Sequence, residues 1–457
     1  MVYIAKRYLS TSKIIALAFV VLIIFLAAGG GLYLMYMNKA DARASLALAD
    51  AKIEREAIET VELTLAQKTD YGDAVLNVLC DADGAEKLGV SDAGSSEVSS
   101  QASRRNDHFE LETDTEINFV VVEDFSNTAR EDMLSGAYKY NLYAADATDA
   151  MLPLVSSGSL RDVSDSAITN VAGYNPEITE KLAYFGRKMF IASSIIDVRS
   201  DAFVIGYVRD AAKGLSVNGK TLVSLVLDGE FTYENYLAAL KSGEVRHAYD
   251  GGDVYPLYFG ASGGFANFDS GSLAVTPYAE SKSAITALDS FLSDAAVTTD
   301  AEDTSADFAV VHLGQLDSLR SPDADIGLLP IPKASASAEH YSYIDFEGAT
   351  MLAMPDGLSN TASLDILLSR YMELSQIYMD KHFDDCITAG NADDAAMLDI
   401  VTDSLDCDYA VLFGYGDIRE TISESLDNTD LFAINYYNRK ELIEKAFSII
   451  EKRITEE

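Results

Sequence analysis

Side chains able to do chemistry are plentiful in this chain, but their spacing serves none of the familiar reactions. The five histidines, His108, His247, His312, His340 and His382, fall in no metal-ligand or triad spacing. Each therefore reads as a surface or packed residue. No phosphate-binding loop, no HExxH and no G-x-S-x-G occurs. Gly260, Gly263 and Gly264 are followed by no Lys-Ser/Thr pair and read as a turn. Asp81 and Asp83 before Gly84 begin like a calcium loop, yet the remaining ligand positions are missing. Glycoside hydrolysis needs two acids facing each other across a bond. Asp384 with Asp385, and Asp393 with Asp394, are sequence neighbours that point apart, and they read as solvated surface. No enzyme activity, metal or cofactor is expected.

Cys80, Cys386 and Cys407 include no CxxC pair, which argues against structural zinc. Either Cys386 pairs with Cys407 and leaves Cys80 free, or all three are buried thiols. Charge is far from balanced: 73 acidic against 34 basic residues, a net of -39. Such a surface repels nucleic acid and anionic lipid headgroups, so no nucleic-acid partner is expected. It also keeps a protein soluble. The 457 residues exceed one simple core and allow two lobes.

Residues 14–37 are apolar and uncharged, and Lys6, Arg7 and Lys13 precede them. As a helix they span roughly 36 Å, enough to cross a bilayer. The positive-inside rule puts residues 1–13 in the cytoplasm and the globular part outside the cell. Lys39, Arg43 and Lys52 on the far flank weaken that asymmetry. A cleaved signal peptide is the rival, with an A-x-A triplet at Ala42–Ala44, but its apolar core is usually about 7 to 15 residues. No cysteine directly follows the run, so a lipoprotein signal is ruled out.

Residues 38–70 read as a stalk, with Leu46, Ala49, Ile53, Ile58, Val61 and Leu65 near helical spacing. Strands are expected at 74–80, 117–123, 140–144, 188–193, 203–208, 306–313, 326–329 and 349–354. Helices are expected at 97–111, 128–135, 147–156, 232–240, 283–295, 361–381, 395–405 and 441–453. Residues 81–100 read as a loop up to the start of that first helix. Alternation of this kind implies α/β layers with mainly parallel sheets.

Five stretches in order resemble the extracellular solute-binding proteins of bacterial ABC importers, in the carbohydrate-type branch. They are EVSSQASRRNDHFEL with INFVVVEDF (Arg105 and Asn106 matching an Arg-Asn pair), AYKYNLYAADATDAMLPLVSSGSLRDVSD, GRKMFIASSIID, LDGEFTYENYLAAL, and IGLLPIPK followed by ATMLAMP. With MLDIVTDSLDCD at residues 397–408, which resembles the family's ending, they cover roughly residues 97 to 430. Three departures stand out: Asn141 replaces an Asp, Phe231 stands where Trp is usual, and there is neither a lipobox nor any Trp.

The resemblance implies an α/β, two-lobed periplasmic-binding-protein-like (type II) fold behind an N-terminal transmembrane helix. Lobe one would hold 71–198 and 347–381, lobe two 199–346 and 382–430, and 431–457 would form a C-terminal helix. It implies a membrane-anchored receptor that delivers a saccharide or similar small solute to ABC permease subunits. The alternative is a degenerate relative acting as a surface sensor or scaffold. Strand-end loops would supply Asp146, Ser194 and Asp197 to the ligand. Tyr255, Tyr258, Phe259, Tyr341 and Tyr343 would supply stacking faces in place of Trp. Protease added to intact cells should degrade the folded part and spare the N-terminus; a mature chain beginning at Ser45 would indicate cleavage instead.

Overall fold

The computed structural model describes residues 74–455 except 91–96, 149–150, 172–197, 270–271, 299–305, 320–324, 347–348, 389–390, 415–416, 429–430 and the single positions 244, 250, 360 and 413. All of them lie in one compact unit, Asp70–Glu457. The expected span, its stalk and the strand at 188–193 fall outside the described residues. Among the described residues no helix is long and apolar enough to cross a membrane.

β1 (Ala74–Cys80) is flanked by two parallel partners, β2 (Thr115–Val121) and β3 (Leu142–Asp146). Leu76, Val78, Leu79 and Cys80 of β1 are all buried, the near-continuous apolar run of a strand covered on both faces. Asn141 sits where β3 begins. Its side-chain oxygen accepts from the Asn77 N–H at 2.8 Å and its own N–H donates to the Asn77 carbonyl at 2.9 Å. Asn141 thus serves as a backbone clasp between β1 and β3.

The chain then builds a second sheet. It comprises β4 (Phe203–Val208), β5 (His247–Ala248), β8 (Val297–Thr298), β9 (Phe308–His312) and β10 (Ile326–Leu329). A separate hairpin, β6 (Ala266–Asp269) with β7 (Ser272–Val275), lies between them in sequence. β11 (Ser342–Tyr343) later pairs in parallel with β13 (Leu405–Asp406). β12 (Thr350–Ala353) returns to the first sheet, antiparallel to β3. The first sheet has the order β12-β3-β1-β2 and the second β10-β4-β9-β5-β8. β4 is antiparallel to β9, whereas β5, β8 and β9 run parallel. The sheets are therefore mixed, with four parallel and three antiparallel neighbouring pairs among the described strands. Each takes its antiparallel strand from chain that has just arrived from the other.

Several local readings need correction. Residues 82–87 are a helix, not loop, because Asp81 caps it by accepting from the Gly84 N–H at 2.7 Å. Residues 125–135 form one helix behind the cap Asp124, and among the described residues of the expected 147–156, only 152–156 are helical. Gly260 lies inside the helix Val254–Ser262, where a Cβ would come within 2.3 Å of Ile331; the turn begins only at Gly263. Asp394 is buried, not solvated: it pairs with Arg209 and so ties the helix Ala392–Asp403 to the end of β4. Cys80 and Cys407 are buried, and neither is in a disulfide.

The Arg105–Asn106 pair is structural. The helix Glu97–Thr113 buries Arg105 against the helix Thr361–His382, its guanidinium 4.2 Å above the Tyr371 ring and 3.1 Å from Ser375 Oγ. Asn106 accepts from Arg105 and Tyr371 and donates to the Leu88 carbonyl at 2.8 Å.

A second buried polar group organises the far side. Asp408 is 1% exposed. Its carboxylate accepts from the Tyr255 hydroxyl, the Phe265 N–H, the Ala266 N–H at 3.3 Å and the Ala410 N–H at 2.7 Å. Gly264 is required beside it (φ +93°), since a Cβ there would lie 2.8 Å from Asp408 Oδ2. Removing this acceptor strands three buried N–H groups and a phenol, each costing about 1–3 kcal/mol. Asp408→Ala should therefore lose on the order of 3 kcal/mol or more in denaturant unfolding, well beyond a surface change such as Glu339→Ala.

Candidate functional site

In open α/β sheets, ligands sit at the carboxyl ends of parallel strands. The first sheet's carboxyl edge carries Asp81 directly after β1 and Asp146 at the end of β3. Asp146 accepts from the Thr148 N–H at 3.0 Å and the Thr148 hydroxyl at 2.8 Å. Burial pushes the Asp81 carboxyl above its usual range; the Gly84 N–H opposes that, while Asp146 and Asp83 add to it.

The crossings between the sheets bring further charge to one place. A short turn, Val198–Asp201, leads into β4. Ala202 pairs antiparallel with Ile344 on the returning segment, and the Asp345 N–H donates to the Asp201 carbonyl at 3.0 Å. Lys87, from the helix after β1, meets Asp201 Oδ1 at 2.6 Å. Arg419 reaches Asp345 at 3.1 Å and donates to the Tyr343 hydroxyl at 2.8 Å. His312, at the end of β9, stands 3.7 Å from Asp345 Oδ2 and 4.3 Å, ring to ring, from Phe203. Arg199 pairs with Asp380 at 2.9 Å and lies 4.5 Å over the Phe383 ring, where the chain crosses a third time.

The two acids at these crossings are shifted in opposite directions. Burial pushes the Asp201 carboxyl up; Lys87 and His312 pull it down, and Asp345 adds to the rise. Burial also disfavours ionised Asp345, but His312 and Arg419 outweigh it and hold that carboxyl below the usual range. Asp201 Oδ2 and Ser200 Oγ are buried with no hydrogen-bond partner.

The aromatic residues singled out from sequence do come together. Tyr255 lies 5.9 Å from Tyr258 and 5.3 Å from Tyr343, and Phe259 lies 5.0 Å from Tyr343 and 6.3 Å from Tyr341, ring to ring. Tyr255, Tyr258, Phe259 and Tyr343 are buried, however, so this cluster packs the helix Val254–Ser262 onto β11 and offers a solute no open ring face. Tyr341 is half-buried, its ring lying against Gly263. Asp146 sits at the first sheet's edge, and Ser194 and Asp197 lie outside the described residues. Lys87, Ser200, Asp201, Asp345 and Arg419 were missed. Their one sequence signal is that Asp201 and Asp345 adjoin the expected lobe boundaries.

An open groove of about 770 Å³ between the helices Tyr233–Gly243 and Tyr278–Leu292 contains none of the crossing residues. Among the described residues, no group of three His, Cys, Asp or Glu side chains is placed to hold a metal ion. No protein-family model matches the chain, and no curated protein matches it.

The folded carboxyl of Asp345 lies below its unfolded value of 3.8. Its stabilising effect is therefore complete above that value and is lost as pH falls through the folded one. Asp345→Asn should cost roughly 1.5–3 kcal/mol at pH 7, and thermal melting should become less pH-dependent below about pH 4.

Proposed function

We propose that the folded part is a two-lobed receptor that binds a small polar solute between its lobes. It would be held outside the cell by the N-terminal segment and would hand its ligand to ABC permease subunits, like the proteins it resembles in sequence. The observation that carries this reading is the double exchange of strands. β4 enters the second sheet antiparallel as the chain leaves the first, and β12 enters the first antiparallel as the chain returns. Paired crossing segments of this kind can bend together and let two α/β halves close on a ligand. The charged crossings and the first sheet's carboxyl edge are where such a ligand would be gripped.

Full-length protein in nanodiscs tests this with a melting screen over saccharides, amino acids and amines. A ligand at a hundredfold its dissociation constant adds roughly 2.7 kcal/mol, a shift of a few degrees for a unit of this size. Dyes on Ser135→Cys and Ser242→Cys should report closure by energy transfer with the same ligand. If no solute changes melting or dye distance, the receptor reading fails and the sensor or scaffold alternative takes its place.

A further inference from the structure

Buried polar atoms are almost always hydrogen-bonded, and each exception needs a reason. Two exceptions are adjacent here: Ser200 Oγ and Asp201 Oδ2, on residues 7% and 8% exposed, at the first crossing. Gly314 seals one side, since a Cβ on it would come within 2.9 Å of the Ser200 Cβ. Lys87 occupies the other Asp201 oxygen and leaves Oδ2 without a donor. What Asp201 Oδ2 lacks is a hydrogen-bond donor, and the Ser200 hydroxyl beside it is unpaired and able to donate or accept.

The surrounding charge says which kind. Asp201 and Asp345 stand at the crossings with Lys87 and Arg419 as their cations. Asp81, Asp83 and Asp146 add three further carboxyl groups at the first sheet's edge, and Asp146 and Asp83 add to the rise that burial causes at Asp81. The balance is negative, in a chain whose net charge is -39. A neutral hydroxyl would satisfy one orphan oxygen and leave that excess in place. An ammonium carries three donors and a compensating charge. The buried aromatic cluster offers no stacking face to favour a sugar ring.

We infer that the crossing is a subsite for a cationic solute, whose primary ammonium donates to Asp201 Oδ2 and Ser200 Oγ. This rests on the receptor reading, and it names the ligand class for that same site. Both atoms are sealed from solvent here, so the ammonium enters when the crossings bend and is enclosed when they straighten.

Putrescine, as a diamine probe, and glucose, as a neutral one, should be titrated into the full-length protein in nanodiscs at physiological salt. Putrescine should bind and raise the melting temperature, and glucose should do neither. Ser200→Ala leaves the Lys87 ion pair intact and should weaken putrescine binding several-fold. Asp201→Asn should weaken it tenfold or more, with circular dichroism checking that each variant folds. Putrescine binding unchanged in both folded variants would mean diffuse attraction to an acidic surface and would overturn the inference. Glucose binding without putrescine binding would overturn it too, while leaving the receptor reading standing. Failure of every solute in the wider screen would end both.

Discussion

The chain crosses between its two sheets at three places, and the physical constraint on the rest of the structure is that these crossings are tied together. Ala202 pairs with Ile344, the Asp201 carbonyl takes the Asp345 N–H, and Arg199 reaches Asp380 and the Phe383 ring on the third passage. A backbone leaving a sheet exposes donors and acceptors that must find partners elsewhere. Here much of that demand is met by the other crossings. The arrangement concentrates acids and their cations between the sheets, where a structure built only for stability would place apolar side chains.

Around that junction the two halves are held by different means. On the first sheet, Arg105 and Asn106 tie their own helix to two others through Tyr371, Ser375 and the Leu88 carbonyl. On the second, Asp408 gathers donors from the helix carrying Tyr255, from the start of β6 and from its own following turn. Both are buried polar groups with their bonding largely satisfied, which gives specific geometry rather than bulk stability. Ser200 and Asp201 are the contrast, because their open valences mark a place where the fold is incomplete by itself.

Patterns that repeat within a few residues were legible in the amino-acid order. The apolar runs of β1, β4, β10 and β12, the long helix Thr361–His382 and the alternation of strands with helices all follow from local spacing. The gathering of Tyr255, Tyr258, Phe259, Tyr341 and Tyr343 was legible as a set of residues, though not as a core. Asp394 was misread for the same reason. Its burial depends on Arg209, 185 positions away, and no local pattern reports such a partner.

Order along the chain by itself determined the α/β class, the absence of catalytic spacing and the strongly acidic surface, because these depend on residue type and near neighbours. Only the tertiary structure decided that β4 and β12 run antiparallel to their neighbours and that Lys87 neutralises Asp201. It also decided that Asp201 and Ser200 keep unmatched oxygens where the sheets meet. The physical reason is distance along the chain. Strand direction, desolvation and ion pairing at the crossings are set by groups separated by dozens to more than a hundred residues, and their effects exist only once the chain has closed upon itself.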